Sequence, residues 1–206
     1  MLSEVNGSEA RELVRVAVVD DHAAIRIGLR SALSSQPGLV CVGVAADGEE
    51  LQPLLHRARP RVVVLDYHLP RVSGLELCRR IKSDVLAPAV LLYSAYADSA
   101  LVVPALVAGA DGIVHKASPA RELFEAIHVI ADGGTQMPPL IPELLGAARA
   151  ALDAQDRRVL DLLVDWTPRW EIAAALGVPI PEIDERTGRM LARLRGGAAR
   201  PGSVKL

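Results

Sequence analysis

RVVVLDYHLPRVSGLELCRRIKS, residues 61–83, is the stretch on which the fold turns. Its first six residues form an almost unbroken β-branched run that ends on Asp66, as expected of a strand buried on both faces of a parallel sheet. After a short loop, SGLELCRRIKS has the length of a helix. The same alternation recurs on either side. VRVAVVD (14–20), LVCVGVA (39–45), AVLLYS (89–94) and GIVHK (112–116) read as strands. AAIRIGLRSALSS, GEELQPLLHRA, DSALVVPALVAG and SPARELFEAIHVIADGG read as the helices between and after them. In the last of these, Ser118 can cap the start and Gly133-Gly134 the end. Five strand–helix repeats predict a doubly wound α/β domain with a five-stranded parallel sheet.

Composition narrows the class. Half of the 206 residues are hydrophobic but only 3% are aromatic, so the cores must be aliphatic. No apolar run reaches the roughly 18 residues that span a bilayer, and no membrane role is expected. The opening MLSEVNGSEARE is polar and of mixed charge, unlike a secretory signal. Cys41 and Cys78 stand in apolar segments at no metal-ligand spacing and read as packing residues. A reducing, cytoplasmic setting fits. The net charge of −2 does not announce a nucleic-acid partner. Residues 141–206 nevertheless hold ten Lys/Arg against nine Asp/Glu, and every acid there lies at or before Glu185.

TQMPPLIPELLGAA, with three prolines, reads as a linker over residues 135–149. Three short helical patterns follow: LDAQDRRVLDLLVDW (152–166), PRWEIAAALG (168–177) and PIPEIDERTGRML (179–191). Thr167 can cap the middle one with Pro168 at its first position. Helix, turn and helix joined by GVP predict a small all-α helix-turn-helix domain over residues 150–206. The sheet domain is expected over residues 14–134.

In open α/β sheets ligands gather at the carboxyl ends of the strands. Here those ends carry Asp20-Asp21, Asp66, Ser94 and Lys116. Clustered carboxylates repel one another unless a cation sits among them, and hard oxygen ligands suit Mg²⁺. A carboxylate can also act as a nucleophile and form an aspartyl-phosphate, with a metal and a lysine neutralising the phosphoryl oxygens. The four other histidines (His56, His68, His115 and His128) show no ligand spacing. Residues 141–206 hold no nucleophile–base set, so an enzymatic output is not expected.

These residues resemble the receiver domain of bacterial two-component response regulators. VVDDH is similar to the family's acidic pair and LDYHLPRVSGLEL to the segment around its phosphorylated aspartate. YSA and ADGIVHK match its switch hydroxyl and lysine. The resemblance covers residues 14–132 and implies a flavodoxin-like fold. It further implies Asp66 as phosphoacceptor, Asp20, Asp21 and Asp66 as Mg²⁺ ligands, and Ser94 and Lys116 as phosphoryl contacts. Where the family places an aromatic ring three residues before the lysine, this chain has Ile113, so relay from the site is expected to differ.

DDHAAIRIGLRSAL and residues 152–195 resemble the NarL/FixJ subfamily with its LuxR-type helix-turn-helix. Ile183, Thr187, Met190, Leu191 and Leu194 continue one apolar stripe at helical spacing. The reading face departs from the family. Glu182-Ile183-Asp184 replaces its Thr-Val-Lys, Gly188 replaces a position that is often basic, and Pro179 replaces the usual serine. Glu182, Asp184 and Glu185 have a structural reading as first-turn acids that complement the helix dipole. Arg186, Arg189, Arg193 and Arg195 are the candidate phosphate contacts. After Leu194, RGGAARPGSVKL lacks the pattern of the family's fourth helix. The resemblance implies a sensor histidine kinase or small phosphodonor as partner, promoter DNA as target, and a homodimer or a heterodimer with another regulator. The alternative is a phosphorylation-responsive protein-interaction module that does not bind DNA by itself.

Overall fold

The structure, a computed structural model, describes residues 13–84, 86–95 and 97–197, with side chains as far as Leu194. The expectations for residues 1–12, the Arg195 side chain and the segment beyond residue 197 fall outside this range. Five strands, β1 (Val14–Val19), β2 (Leu39–Ala45), β3 (Val62–Asp66), β4 (Ala89–Ser94) and β5 (Gly112–His115), form one parallel sheet in the order β2-β1-β3-β4-β5. Helices α1 (Ala23–Ser35), α2 (Gly48–Ala58), α3 (Gly74–Lys82), α4 (Ser99–Ala108) and α5 (Ala120–Ala131) follow the strands in turn. Alternation along each strand divides the core. Val16, Val18, Val62 and Val64 join Leu33 of α1 and Ile127 of α5 on one face, while Ala17, Val19, Val63 and Leu65 meet α2, α3 and α4 on the other.

Four further helices follow: α6 (Pro142–Ala151), α7 (Ala154–Val164), α8 (Arg169–Leu176) and α9 (Ile180–Gly197). Helix α6 corrects the expectation of a linker throughout residues 135–149. Pro142 occupies a first-turn position, where its missing N–H costs nothing, and Ala148 is buried in the core. Before α6 the chain stays close to the sheet. Gln136 bridges to Gly112, and its carbonyl accepts the Ile113 amide at 2.8 Å, so the chain runs along the outer edge of β5.

Two expected caps differ. Helix α5 begins after Pro119, while the Ser118 amide donates to the His115 carbonyl; α8 begins after Pro168 rather than after Thr167. In both, the proline preceding the helix already holds its backbone near the required φ. Elsewhere aspartates cap: Asp47 on α2, Asp98 on α4 and Asp153 on α7 each accept two first-turn amides.

Helix α4 explains how the two groups of elements meet. Its sequence, SALVVPALVA, is apolar all round, and seven of its ten residues are buried. A helix of that kind must be covered on every side. The sheet core and α3 lie on one side, and α6, α7 and α9 cover the other, with α9 also lying against α3. The apolar core is therefore continuous from Leu65 through Leu106 to Leu160, Ile172, Ile183 and Met190. The expected stripe on α9 is the one that supplies it: Ile183, Thr187, Met190 and Leu191 are buried and Leu194 is half-buried.

Candidate functional site

Asp20 follows β1 and Asp66 ends β3, the neighbouring strand, which sets their carboxylates side by side. Both are buried, at 0% and 3% exposure, in a setting where unpaired charge is expensive. Lys116, just beyond β5, supplies the counter-charge. Its Nζ lies 2.6 Å from Asp20 Oδ2 and 2.8 Å from Asp66 Oδ2. Backbone amides hold the other oxygens: His22 donates to Asp20 Oδ1 at 2.8 Å and His68 to Asp66 Oδ1 at 3.2 Å. Burial pulls the Lys116 ammonium down, but the hydrogen bonds it donates to Asp20 and Asp66 outweigh it and leave its pKa above the usual lysine value. Ser94, at the end of β4, is fully buried, and its carbonyl accepts the Lys116 amide at 2.8 Å. All four strand ends read from the sequence thus converge.

Two further features build this site. His22 lies beside the acids, with Nδ1 2.7 Å from Asp21 and 3.3 Å from Asp20. Ligand atoms of Asp20, Asp21, His22 and Asp66 all lie within 4.8 Å of one another. The histidine follows the acidic pair directly in sequence, a signal available without the structure. Gly74 shapes the loop after β3. A Cβ there would stand 2.2 Å from the Asp66 carbonyl oxygen, so only glycine lets α3 start against the strand end. The donor set, three carboxylates and one imidazole, is dominated by hard oxygen and suits Mg²⁺. A carboxylate held between a lysine and such a cation is equipped for nucleophilic attack on phosphorus.

Ile113 is buried, and it lines a cavity of about 310 Å³ between β5, α5 and the connector, which Gln136 and Pro138 also line.

The charged groups of α9 are arranged differently. Helix α9 starts at Ile180, so of the three acids only Glu182 is in its first turn. This corrects the reading of Asp184 and Glu185 as first-turn residues. Asp184 turns inward instead. Arg169 of α8 donates to its carboxylate at 2.5 Å and, through Nη2, to the Ala108 carbonyl at the end of α4 at 3.1 Å. Arg79 of α3 donates to the Asp184 carbonyl at 3.0 Å. A Cβ on Gly188 would stand 3.5 Å from the same Arg79 guanidinium. Both departures from the expected reading face therefore abut one arginine of α3, where a basic side chain would meet like charge.

The three candidate phosphate contacts whose side chains are described are each engaged with an acid. Arg186 pairs with Glu182 at 2.7 Å and approaches Asp156 at 3.8 Å; Arg193 bridges Asp153 and Asp156, both at 2.8 Å; Arg189 lies 3.9 Å from Glu185. Among these acids Asp153 is held at about 2, first by Arg193 and then by the Asp156 amide.

Comparison with known proteins agrees with this geometry. Residues 16–128 match the response regulator receiver domain, and the chain belongs to the response-regulator family. It is similar to the DNA-binding transcriptional activator DevR/DosR of Mycobacterium tuberculosis, 32% identical over 88% of each chain. It is also similar to the nitrate/nitrite response regulator NarL of Escherichia coli, 26% identical over 90% of this chain and 91% of that one. Among solved structures, a LuxR-family two-component response regulator from Aurantimonas sp. SI85-9A1 superposes with a TM-score of 0.59 and 34% identity, covering 68% of this chain and 99% of that one. RcsB of Salmonella typhimurium, 22% identical over 89% and 93% of the two chains with a TM-score of 0.57, shares the fold.

Proposed function

We propose that this protein is a response regulator that accepts phosphate on Asp66 and controls transcription through its C-terminal helices. The observation that carries the reading is the Lys116 ammonium set between the buried carboxylates of Asp20 and Asp66. Residues 14–134 form the receiver, 135–149 the connection that includes most of α6, and 150–206 the helix-turn-helix output.

Asp20, Asp21 and Asp66 would hold Mg²⁺. When bound, the ion supplies positive charge to the phosphoryl oxygens. An Asp66 oxygen attacks the phosphorus of a histidine kinase or small phosphodonor. A C–O–P linkage forms, the bond to the leaving group breaks, and its electron pair departs with that group. Lys116 stays at the site and faces the new phosphoryl oxygens, which draws it from Asp20. Ser94 contacts the same oxygens from β4. Because α4 follows β4 and carries the output helices on its outer face, a shift at Ser94 bears on their seating. Ile113 offers no ring to transmit that shift, so the β4–α4 connection is the route.

Release of α9 from α3 and α4 would free it to meet promoter DNA, as a homodimer or beside another regulator. The DNA-binding activity of DevR/DosR, a relative over most of both chains, supports this output. A second reading is favoured by the pairing of Arg186, Arg189 and Arg193 with acids and by the fit of Asp184 and Gly188 to Arg79. In it, α9 serves to dock on a receiver surface, its own or another regulator's, and does not read DNA by itself.

Acetyl phosphate with Mg²⁺ should add one phosphoryl group to the wild type and none to Asp66→Asn, read by intact-protein mass spectrometry; equal labelling of both would end the reading. Binding of the phosphorylated protein to promoter fragments at increasing salt then separates the outputs. Affinity that falls steeply with salt supports direct DNA contact, and none above an acidic control protein supports docking alone.

A further inference from the structure

Between the end of α3, the turn after α4 and the α7–α9 helices lies a cavity of about 460 Å³. Its size and its place between two domains are those of small-molecule sites. We propose that it binds a small planar aromatic cation.

Apolar surface is unusually concentrated here. The chain has two tryptophans, Trp166 and Trp170, and both line this cavity, 44% and 64% exposed. Ile180, a further exposed apolar side chain, completes that wall. Trp166 also sits where stability alone would not put it. It follows α7 in the left-handed region, with φ +57, a helix-end conformation that glycine adopts at lower cost and that a bulky side chain seldom takes. An indole that lines the cavity is thus held in a strained position with nearly half its surface exposed, and strained backbone positions cluster at functional sites.

Charge selects the ligand. Two bases line the cavity, and both are spent. Lys82 Nζ holds both oxygens of Asp111, at 3.2 and 2.9 Å, and Arg169 holds Asp184. An anion could take either base only by leaving a largely buried carboxylate unpaired, which costs more than it returns. The third acid is Asp84. One of its oxygens accepts the Leu86 amide at 3.0 Å, and it makes no ion pair among the described residues. The lining therefore has one carboxylate in excess. Indole faces attract cations as well. A flat, positively charged ring system meets both: its faces stack on tryptophan and its charge is drawn to Asp84. One wall comes from the receiver and the other from the C-terminal helices, so such a ligand would hold the two together.

The titration uses proflavine, a planar cationic amine, against purified nucleic-acid-free protein, with anthracene-9-carboxylate as an anion of similar shape. Both tryptophans report on the cavity, so intrinsic fluorescence follows binding and calorimetry gives the stoichiometry. Proflavine is expected to quench saturably at one site with a Kd of about 10–100 µM, the range open to a ligand of its size. Trp170→Ala should weaken it about tenfold, and Asp84→Asn about threefold. Both side chains are exposed, and thermal melts confirm that each variant folds; if Trp170→Ala does not, Asp84→Asn decides. The proposal is overturned by quenching that does not saturate, by equal affinity for the anthracene carboxylate, or by wild-type affinity in a folded variant. The titration needs neither phosphate nor DNA, so its outcome stands apart from the reading of Asp66 as phosphoacceptor.

Discussion

At the strand ends, three carboxylates and an imidazole crowd within 4.8 Å with one lysine against them, whereas along α9 Arg186, Arg189 and Arg193 each face an acid. The first arrangement leaves negative charge in excess, with Asp20 and Asp66 buried, which calls for a cation. The second cancels charge locally, which suits a helix resting on a protein surface more than one resting on phosphates. The two regions thus differ in how completely their charges are compensated. Asp184 marks the boundary, because it is compensated from two sides, by Arg169 of its own domain and by Arg79 of the receiver.

The largest expected effect lies on the uncompensated side. Lys116→Ala should slow the response to acetyl phosphate, with the yield of phosphoprotein or its conformational change reduced about 10²-fold. An unchanged rate would show that the lysine merely neutralises the acids. On the compensated side, Arg169→Ala strips Asp184 of its buried partner and should cost about 3 kcal/mol in urea unfolding. If the C-terminal helices then separate from α4, limited proteolysis should cut between α5 and α7 before the sheet opens. Loss of stability without earlier cutting would show the two halves unfolding as one. Met190→Ala tests the apolar part of the same contact and should cost about 2–3 kcal/mol by leaving a cavity.

Acid gives a smaller and more local effect. Arg193 and the Asp156 amide hold Asp153 at about 2 against an ordinary 3.8. A folded-state value below the unfolded one means that the stability it contributes is complete above about pH 4 and is lost as pH falls toward 2. The α7 helix should therefore lose protection from hydrogen exchange across that window, and Asp153→Asn should show less dependence there. The smallest effect concerns the thiols. Burial pushes Cys78 up to about 12, while Cys41 is half-buried. Maleimide at neutral pH should label Cys41 in the folded protein and reach Cys78 only after unfolding; equal rates would mean that the α3–α4 packing opens readily.

Much of the receiver could be read from the chain because its signals are local. Apolar runs such as VVVL end on the residue that matters, and a parallel sheet brings such ends together whatever the helices do. His22 was equally accessible, directly after the acidic pair. So was a hint of docking, since α4 carries apolar residues on every side and something had to cover its outer face. The seating of α9 was less accessible. The sequence shows three acids near a helix start, and helix-dipole reasoning explains them well enough, but α9 begins at Ile180, which moves Asp184 and Glu185 out of the first turn. The prolines of residues 138–142 mark a break without saying where α6 resumes.

The sequence by itself determined the order of strands and helices, the identity of Asp20, Asp66, Ser94 and Lys116 as groups brought to one edge, and the apolar stripe from Ile183 to Leu194. These follow from periodicity and from the geometry of parallel sheets, which act over a few residues at a time. Only the tertiary structure decided that Arg186 and Arg193 are engaged by Asp156, that Asp184 and Gly188 face Arg79, and that both tryptophans border one cavity. The pairs among these that hydrogen bonds or ion pairs link directly lie between 30 and 105 residues apart, and no local rule sets which charge an arginine meets when two folded units close on each other.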